Sequence, residues 1–144
     1  MFESMEKLKS FTFKDETLSA KYLESMEVTD GVVCDVYIHP ETEERDLGIV
    51  TIQPGRKTPL QKVLSGEETI EGLVSGKGTL TITHKDGSQT VHSVDETEDI
   101  KFAQTVEVGE IMQWQADPNS ELVIFEICYP PYEDGRFENI EETS

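Results

Sequence analysis

The stretch that decides the fold is residues 50–82, VTIQPGRKTPLQKVLSGEETIEGLVSGKGTLTI. A Pro-Gly pair at 54–55 ends its first apolar run, because glycine tolerates positive φ and proline fixes its own φ. A Gly-Lys-Gly sequence at 76–78 separates two runs that are rich in β-forming residues, which predicts a hairpin. Short strands punctuated in this way are typical of an antiparallel sandwich or barrel, so we predict an all-β fold.

Strand patterns continue on both sides of this stretch. Residues 32–39 are dense in β-branched and aromatic side chains and are bounded by a glycine and a proline. Residues 111–116 alternate between apolar and polar, so one side of that strand should be buried. Residues 121–129 are apolar on both faces, as expected for a strand that is covered on each side.

The length of 144 residues predicts a single domain. We expect its barrel core to span about 32–131, with an acidic C-terminal tail at 132–144 that packs through Phe137 and Ile140. No internal repeat or linker interrupts this layout.

Residues 1–31 are expected to form an N-terminal arm. Its first residues carry a weak helical stripe, which either packs on a neighbour or extends from the domain. The stripe consists of Phe2, Met5 and Leu8. Residues 14–30 show no clean periodicity apart from a strand near 20–23.

The chain is strongly acidic, with 30 Asp and Glu residues against 12 Lys and Arg and a formal net charge of −18. Such a charge repels phosphate backbones and anionic lipid heads, so we predict neither a nucleic-acid nor a membrane partner. Solubility explains the charge, and salt adaptation is a second explanation. The sequence lacks an apolar run of about 18 residues and a secretory signal, which predicts a cytoplasmic protein.

The two cysteines, Cys34 and Cys128, both lie inside apolar strand patterns. They form no Cys-x-x-Cys motif and no dense cysteine framework. We therefore predict buried free thiols, with a disulfide as the alternative.

The central stretch resembles the first sequence motif of the cupin superfamily. That motif has Pro-Gly, then five residues, His-x-His, a Glu three or four residues later, and a glycine-centred hairpin. In this chain Gln61 and Val63 stand at the two His positions, and Glu68 stands at the Glu position. The hairpin glycine, Gly76, comes one residue later than the strict pattern.

The second cupin motif is represented by Gly109, followed three residues later by Met112 where the family carries a His. The resemblance covers roughly residues 47–131. It implies a double-stranded β-helix, or jelly-roll barrel, with an N-terminal extension. It also implies a homodimer that pairs through a sheet or exchanges N-terminal strands.

The resemblance also implies where a metal would lie, on inward-facing positions that catalytic cupins fill with imidazoles and one carboxylate. Here those positions offer an amide, an isopropyl group, a carboxylate and a thioether. Gln61 and Glu68 would hold a hard cation only weakly, and Met112 suits copper(I) rather than iron, manganese or zinc. We therefore predict a cupin without a metal and without another cofactor.

The same interior could instead bind a small molecule. Trp114 should face the same side as Met112, and an aromatic wall with a few amide and acid groups suits a small polar, sugar-like ligand. The alternative for Trp114 is simple core packing. The predicted ligand-binding residues of the barrel interior are Gln61, Val63, Glu68, Met112, Trp114 and Glu126.

Two further acids interrupt apolar strand patterns. Alternation from an inward Glu68 would point Glu71 outward, toward a subunit interface. Glu126 is expected to be buried, and a buried carboxylate needs a partner or a proton. Its candidate counter-ions are Lys62, Lys77 and Arg136.

The three histidines are His39, His84 and His92. If the hairpin around the Asp-Gly turn at 86–87 is regular, His84 and His92 are near neighbours that could bind a metal adventitiously. The alternative for each histidine is a solvated or hydrogen-bonded strand residue.

Three functions remain open at this level. The first is a metal-independent binding module for a small polar ligand in the barrel mouth. The second is an enzyme, either a sugar isomerase or epimerase that uses acid–base residues or a divergent metal-dependent oxygenase. The third is a structural or partner-binding protein with a filled barrel. A deep pocket that reaches Gln61, Glu68 and Trp114 would favour the first two.

Overall fold

A computed structural model of the protein describes residues 9–13, 16–38, 46–66, 68–99, 102–129 and 137–140. The strands within these ranges are β1 (Lys9–Phe13), β2 (Glu16–Thr29), β3 (Val32–Ile38), β4 (Asp46–Ile52), β5 (Leu60–Val63), β6 (Glu68–Thr83), β7 (Gln89–Asp95), β8 (Ala103–Val106), β9 (Ile111–Ala116), β10 (Leu122–Tyr129) and β11 (Phe137–Ile140). The predicted all-β architecture is confirmed. The described residues contain no helix that is long and apolar enough to cross a membrane.

Strand β6 joins two antiparallel sheets. Its first half pairs with β8 and β10, and its second half pairs with β7 and β9. The strand order is β1-β2-β3-β4-β10-β6-β9-β5-β11, with β7 and β8 also on β6. The sheet therefore curls around a common interior, which is the predicted jelly-roll arrangement.

The change of sheet occurs at Gly76. The sequence predicted a hairpin turn here, but β6 runs through this point as one bent strand, Glu68–Thr83. Gly76 has a φ of +91°, and a Cβ at this position would lie 1.9 Å from the carbonyl oxygen of Glu121. A residue with a side chain would be both strained and sterically excluded, so glycine is required at the bend.

Apolar side chains are buried in two clusters on opposite faces of the sheet that contains β4 and β10. The interior cluster fills the barrel and includes Val32, Val50, Ile52, Val63, Leu73, Leu80, Ile82, Val94, Val106, Met112, Trp114, Ala116, Leu122 and Ile124. The outer cluster covers the other face and includes Tyr37, Leu47, Ile49, Ile70, Phe125 and Ile127. Strand β10 contributes to both clusters, which agrees with its prediction as a strand covered on each side.

The chain ends contain more strand than the sequence predicted. Strand β2 is 14 residues long and extends well beyond the short strand expected near 20–23. The C-terminal strand β11 pairs with β5, and Phe137 packs against the interior cluster as expected. The predicted helical stripe at residues 2–8 lies outside the described residues.

Candidate functional site

Four of the predicted ligand-binding side chains share one face of β5 and β9. Val63, Met112 and Trp114 belong to the interior cluster and are almost fully buried. Gln61 is the cross-strand partner of Met112, and directly opposed residues of antiparallel strands share a face. The Gln61 Nε2 amide donates a hydrogen bond of 3.2 Å to Asn139 Oδ1 on β11. These four side chains therefore lie on the face that lines the barrel.

The Glu68 side chain does not lie on this interior face. It shares a face of β6 with Ile70, which packs in the outer cluster. Thr69 points the other way, is 1% exposed and pairs with Val106 of the interior cluster. The expectation that Glu68 and Trp114 share one cavity is therefore wrong, because the two side chains lie on opposite faces.

Glu71 is the acid of β6 that lies in the interior. It is 1% exposed, and Trp114 Nε1–H donates a hydrogen bond of 2.8 Å to its Oε1. Its Oε2 accepts no hydrogen bond from any described N–H or O–H donor. The predicted outward orientation of Glu71 is therefore wrong, because that prediction took Glu68 as the inward residue.

Glu126 lies beside Glu71 on the interior face. The two are direct cross-strand partners in the β6–β10 pair, and Cys128 Sγ lies 3.7 Å from Glu126 Oε1. Burial raises the pKa of Glu71 well above its ordinary value, and the charge of Glu126 raises this pKa further. The hydrogen bond from Trp114 lowers the pKa of Glu71, but by less. A neutral Glu71 beside Glu126 is the state that this arrangement favours.

Two of the three counter-ions predicted for Glu126, Lys62 and Lys77, are placed elsewhere in the structure. The Lys77 ammonium group lies 3.9 Å from Asp117 Oδ2, in an ion pair at the protein surface. Lys62 lies on the face of β5 opposite to the interior residues. Arg136 lies outside the described residues. The described cross-strand neighbour of Glu126 on β6 is a second acid, Glu71.

The indole of Trp114 is fixed from several sides. Its backbone N–H donates to Thr58 Oγ1 at 3.0 Å, and its carbonyl accepts the Thr58 N–H at 2.9 Å. Phe102 packs against the indole edge to face, with ring centroids 6.4 Å apart, and the His92 ring lies 5.2 Å from Phe102. Trp114 is 2% exposed, so its ring is part of the hydrophobic core. Its indole N–H is also the hydrogen-bond donor to Glu71.

An open groove lies above this interior, where β5, β8 and β10 end and β6 begins. We call it the mouth groove. It has a volume of about 550 Å³ and is lined by Val63, Ser65, Gly66, Glu68, Thr69, Lys85, Thr105, Val106, Glu107, Val108 and Tyr129. Three hydroxyl side chains, two carboxylates, an ammonium group and a phenol ring therefore surround one space.

Hydrogen bonds fix the loop that forms one side of the mouth groove. Glu110 accepts the backbone N–H of Glu107 at 2.8 Å, and its other carboxylate oxygen lies 2.5 Å from His84 Nδ1. The second ring nitrogen of His84 lies 2.6 Å from Thr90 Oγ1. The Lys85 ammonium group lies 3.8 Å from Glu107 Oε2. The groove wall is therefore tied to the turn between β6 and β7.

The predicted histidine pair does not form. In the β6–β7 register His92 lies opposite Leu80, which is four residues before His84. That spacing corresponds to about 13 Å along a strand. His92 faces Phe102 while His84 binds Glu110, so the two rings serve different parts of the structure. His39 lies outside the described residues.

The side chains at the positions where catalytic cupins hold a metal do not fit a transition metal. They are Gln61, Val63 and Met112, with Thr69 on the inward position near the start of β6. None of these offers an imidazole or a carboxylate. Among the described residues no group of three or more His, Cys, Asp or Glu side chains could hold a metal ion. We therefore assign no chemistry to a metal here.

The position of Gly76 in the sequence could have identified Thr69 and Glu71 as interior residues. The spacing from the Pro-Gly pair selected Glu68, whereas Gly76 lies one residue later than the cupin motif requires. Counting back from Gly76 moves the inward position to Thr69 and makes Glu71 an interior residue. The bend of β6 at Gly76 explains why the glycine is the better reference point.

Neither protein-family models nor curated proteins match this chain. Solved structures do match it. CapF, a capsular polysaccharide assembling protein from Staphylococcus aureus, has 14% identity over 84% of this chain and 34% of CapF, with a TM-score of 0.66. Oxalate decarboxylase from Bacillus subtilis has 13% identity over 95% of this chain and 31% of its own, with a TM-score of 0.65.

A third match is closer to this chain in length. Streptomyces PAC13, solved as a point variant with uridine, has 12% identity over 86% of this chain and 92% of its own, with a TM-score of 0.61. The match to CapF or oxalate decarboxylase, by contrast, spans about a third of those longer chains. All three proteins have the cupin fold. The curled antiparallel sheet and these likenesses together show that this chain has the cupin fold too, as its Pro-Gly and glycine motifs indicated.

Proposed function

We propose that this protein binds a small hydroxylated ligand, of the sugar or nucleoside class, in the mouth groove and without a metal. The observation that carries the proposal is the composition of the groove wall. Hydroxyl groups of Ser65, Thr69 and Thr105 and carboxylates of Glu68 and Glu107 line one space. Such groups can both donate to and accept from the hydroxyls of a ligand.

The apolar part of the groove supports the same ligand class. Val63, Val106 and Val108 form wall segments, and Tyr129 contributes an aromatic ring. Sites for small molecules combine apolar walls with a few oriented polar groups, and sugar rings pack on aromatic faces. The mouth groove therefore replaces the predicted pocket around Trp114, whose indole is already enclosed.

The structural neighbours suggest which probe to try first. PAC13 was solved with uridine, and CapF is named for the assembly of a capsular polysaccharide. With identities of 12% and 14%, these names guide the choice of probe and nothing more. Uridine is a reasonable first ligand because its ribose presents hydroxyls and its base presents amide-like groups.

A metal-independent site also leads to a direct expectation. Elemental analysis of the purified protein should find no stoichiometric iron, manganese, zinc or nickel, because imidazoles are absent from positions 61, 63 and 112. One atom of such a metal per chain, retained when His84 and His92 are both replaced, would contradict this expectation. The replacement of both histidines excludes adventitious surface binding.

The test of the proposed function is a titration followed by two-dimensional amide NMR. We expect uridine, or one of a panel of neutral monosaccharides, to shift the amide signals of Thr69, Thr105 and Glu107 in a saturable manner. Replacing Glu68 by Gln should weaken binding by about tenfold to a hundredfold, because a hydrogen bond to a charged group contributes about 1.5–3 kcal/mol.

The matched control is Glu96→Gln, which makes the same chemical change at an exposed position outside the mouth groove. This variant should bind as the parent does. Shifts that map away from the groove, or equal affinities for both variants, would contradict the proposed site.

A structural or partner-binding role is the second candidate. It is favoured by the filled interior, in which Trp114, Leu80 and Ile82 are each at most 2% exposed. If the titrations show no saturable shift with any probe, this role becomes the better explanation of the fold.

A further inference from the structure

We propose that Glu71 and Glu126 form a single-proton site inside the barrel, in which the two carboxyl groups share one proton at pH values where exposed glutamates are ionised. The proposal concerns the interior below the mouth groove and does not depend on a ligand in that groove. The ligand of this site is the proton, and the fluorescence of Trp114, which is hydrogen-bonded to Glu71, should report whether the proton is present.

The geometry of the β6–β10 pair carries the proposal. Glu71 and Glu126 are direct cross-strand partners, so their Cβ atoms lie about 4.5–5.5 Å apart on the same face. Glu71 Oε1 is already engaged by the Trp114 indole N–H. Its Oε2 has no N–H or O–H donor among the described residues. A proton held between the carboxyl groups supplies the missing hydrogen bond.

No described group that packs against Glu71 brings a positive charge to it. Within the described part of the chain Glu71 forms no ion pair, and the charge that acts on it comes from Glu126. The other neighbours are Thr69 on β6, Gln104 opposite Glu71 on β8, Trp114 on β9, Cys128 beside Glu126 on β10, and Cys34 of β3 next to Gly48.

Electrostatics then decides the protonation state. Two ionised carboxylates on adjacent strands of one face repel each other, and the buried Glu71 also loses its hydration. One retained proton removes one of the charges and turns the repulsion into a hydrogen bond. Burial, the like charge of Glu126 and a side-chain hydrogen bond with Glu126 all raise the pKa of Glu71, in agreement with the geometry.

The release of this proton should weaken the pairing between β6 and β10. When Glu71 gives its proton to solvent, a second negative charge appears between β6 and β10, two residues along β6 from Thr69, which lines the mouth groove. We expect the amides of residues 69–73 to lose protection from hydrogen exchange once the pair is fully ionised, after correction for the intrinsic effect of pH on exchange.

The chain contains one tryptophan, so fluorescence excited selectively in the indole reports on Trp114 alone. Its emission should change in a single sigmoidal step as the pH rises, with a midpoint above the ordinary range of glutamate. In Glu71→Gln, which keeps the acceptor for the indole but cannot ionise, the step should disappear. In Glu126→Gln, which removes the neighbouring charge, the midpoint should move to lower pH.

The matched control is Glu68→Gln, three residues away on the opposite face of the same strand. It should keep the step at the midpoint of the parent protein. A parent protein with no step between pH 4 and 9, a midpoint within the ordinary glutamate range, or a step that persists in Glu71→Gln would overturn the proposal.

An infrared measurement tests the same site without any substitution. The parent protein at neutral pH should show the carbonyl stretch of a protonated carboxyl group, and this band should vanish at the pH where the fluorescence changes. Absence of the band at neutral pH would overturn the proposal, even if a variant fails to fold.

Discussion

Trp114 contributes to the barrel in two separable ways, as apolar volume and as a hydrogen-bond donor. Its ring fills the interior beside Phe102, while its N–H satisfies one oxygen of the buried Glu71. Few core residues combine both roles, because a buried polar atom must find a partner. The Trp114 side chain therefore links the packing of β9 to the protonation state of Glu71 on β6.

Replacing Trp114 by Phe tests the two roles. The variant keeps an aromatic ring but removes the donor, so we expect the free energy of unfolding to fall by about 1–3 kcal/mol. The pKa of Glu71 should rise further, since the lost hydrogen bond lowered it. Urea unfolding measures the stability. It is followed by circular dichroism, because the variant has no tryptophan whose fluorescence could report unfolding. A stability equal to that of the parent would mean that the indole N–H and its extra volume contribute nothing.

At the scale of the element, strand β6 organises the barrel, because it belongs to both sheets. Its first half pairs with β8 and β10, and its second half pairs with β7 and β9. The bend at Gly76 sets which of its residues face inward on each side. The position of this bend therefore decides that Glu71, rather than Glu68, enters the interior.

The bend leads to a prediction with an internal control. Gly76 and Gly87 both have positive φ, but only Gly76 meets another backbone atom at the position of a Cβ. Gly87→Ala should lower the free energy of unfolding by about 1 kcal/mol from backbone strain alone. Gly76→Ala should lower it by more than about 3 kcal/mol, because the Glu121 carbonyl must also move. Denaturant unfolding compares the two, and equal losses would mean that the close approach has no energetic effect.

At the scale of the whole molecule, the shared-proton pair affects the stability of the fold. Below the ordinary pKa of about 4.5, Glu71 is protonated in both the folded and the unfolded chain. As the pH rises, the unfolded chain releases this proton first, so the free energy of unfolding falls until the folded Glu71 also ionises. The loss is at most about 1.4 kcal/mol per pH unit.

Glu71→Gln should remove this dependence, because glutamine imitates the protonated acid at every pH. We expect the variant and the parent to be similar in stability near pH 4, and the variant to become progressively more stable than the parent as the pH increases. Urea unfolding at a series of pH values measures the difference. Parallel stability curves for the two proteins would show that Glu71 has an ordinary pKa in the folded state.

The homodimer implied by the sequence resemblance remains a prediction about the whole molecule. Deleting Met1–Ser10 should lower the melting temperature or the dimer affinity, because these residues carry an apolar stripe. Light scattering and thermal unfolding of both forms provide the measurement. A monomer whose stability is unchanged by the deletion would contradict the prediction.

The sequence by itself determined the fold class and much of the interior. Turn residues and period-two patterns act locally, so they identified the strands and placed Met112 and Trp114 on a buried face. The spacing of the cupin motif placed Val63 there. They could not determine β2 or β11, since those segments lack periodicity and become strands by pairing with β3 and β5.

The tertiary structure decided which sequence reference sets the inward residues of β6, the Pro-Gly pair or Gly76. One residue of register exchanges the two faces of a strand, so an offset of one between Glu68 and Thr69 moved the interior acid to Glu71. The pairing of Glu71 with Glu126 depends on the register between β6 and β10, whose sequences lie about fifty residues apart. Register between distant strands is set by the packing of the whole barrel, and local sequence patterns do not contain it.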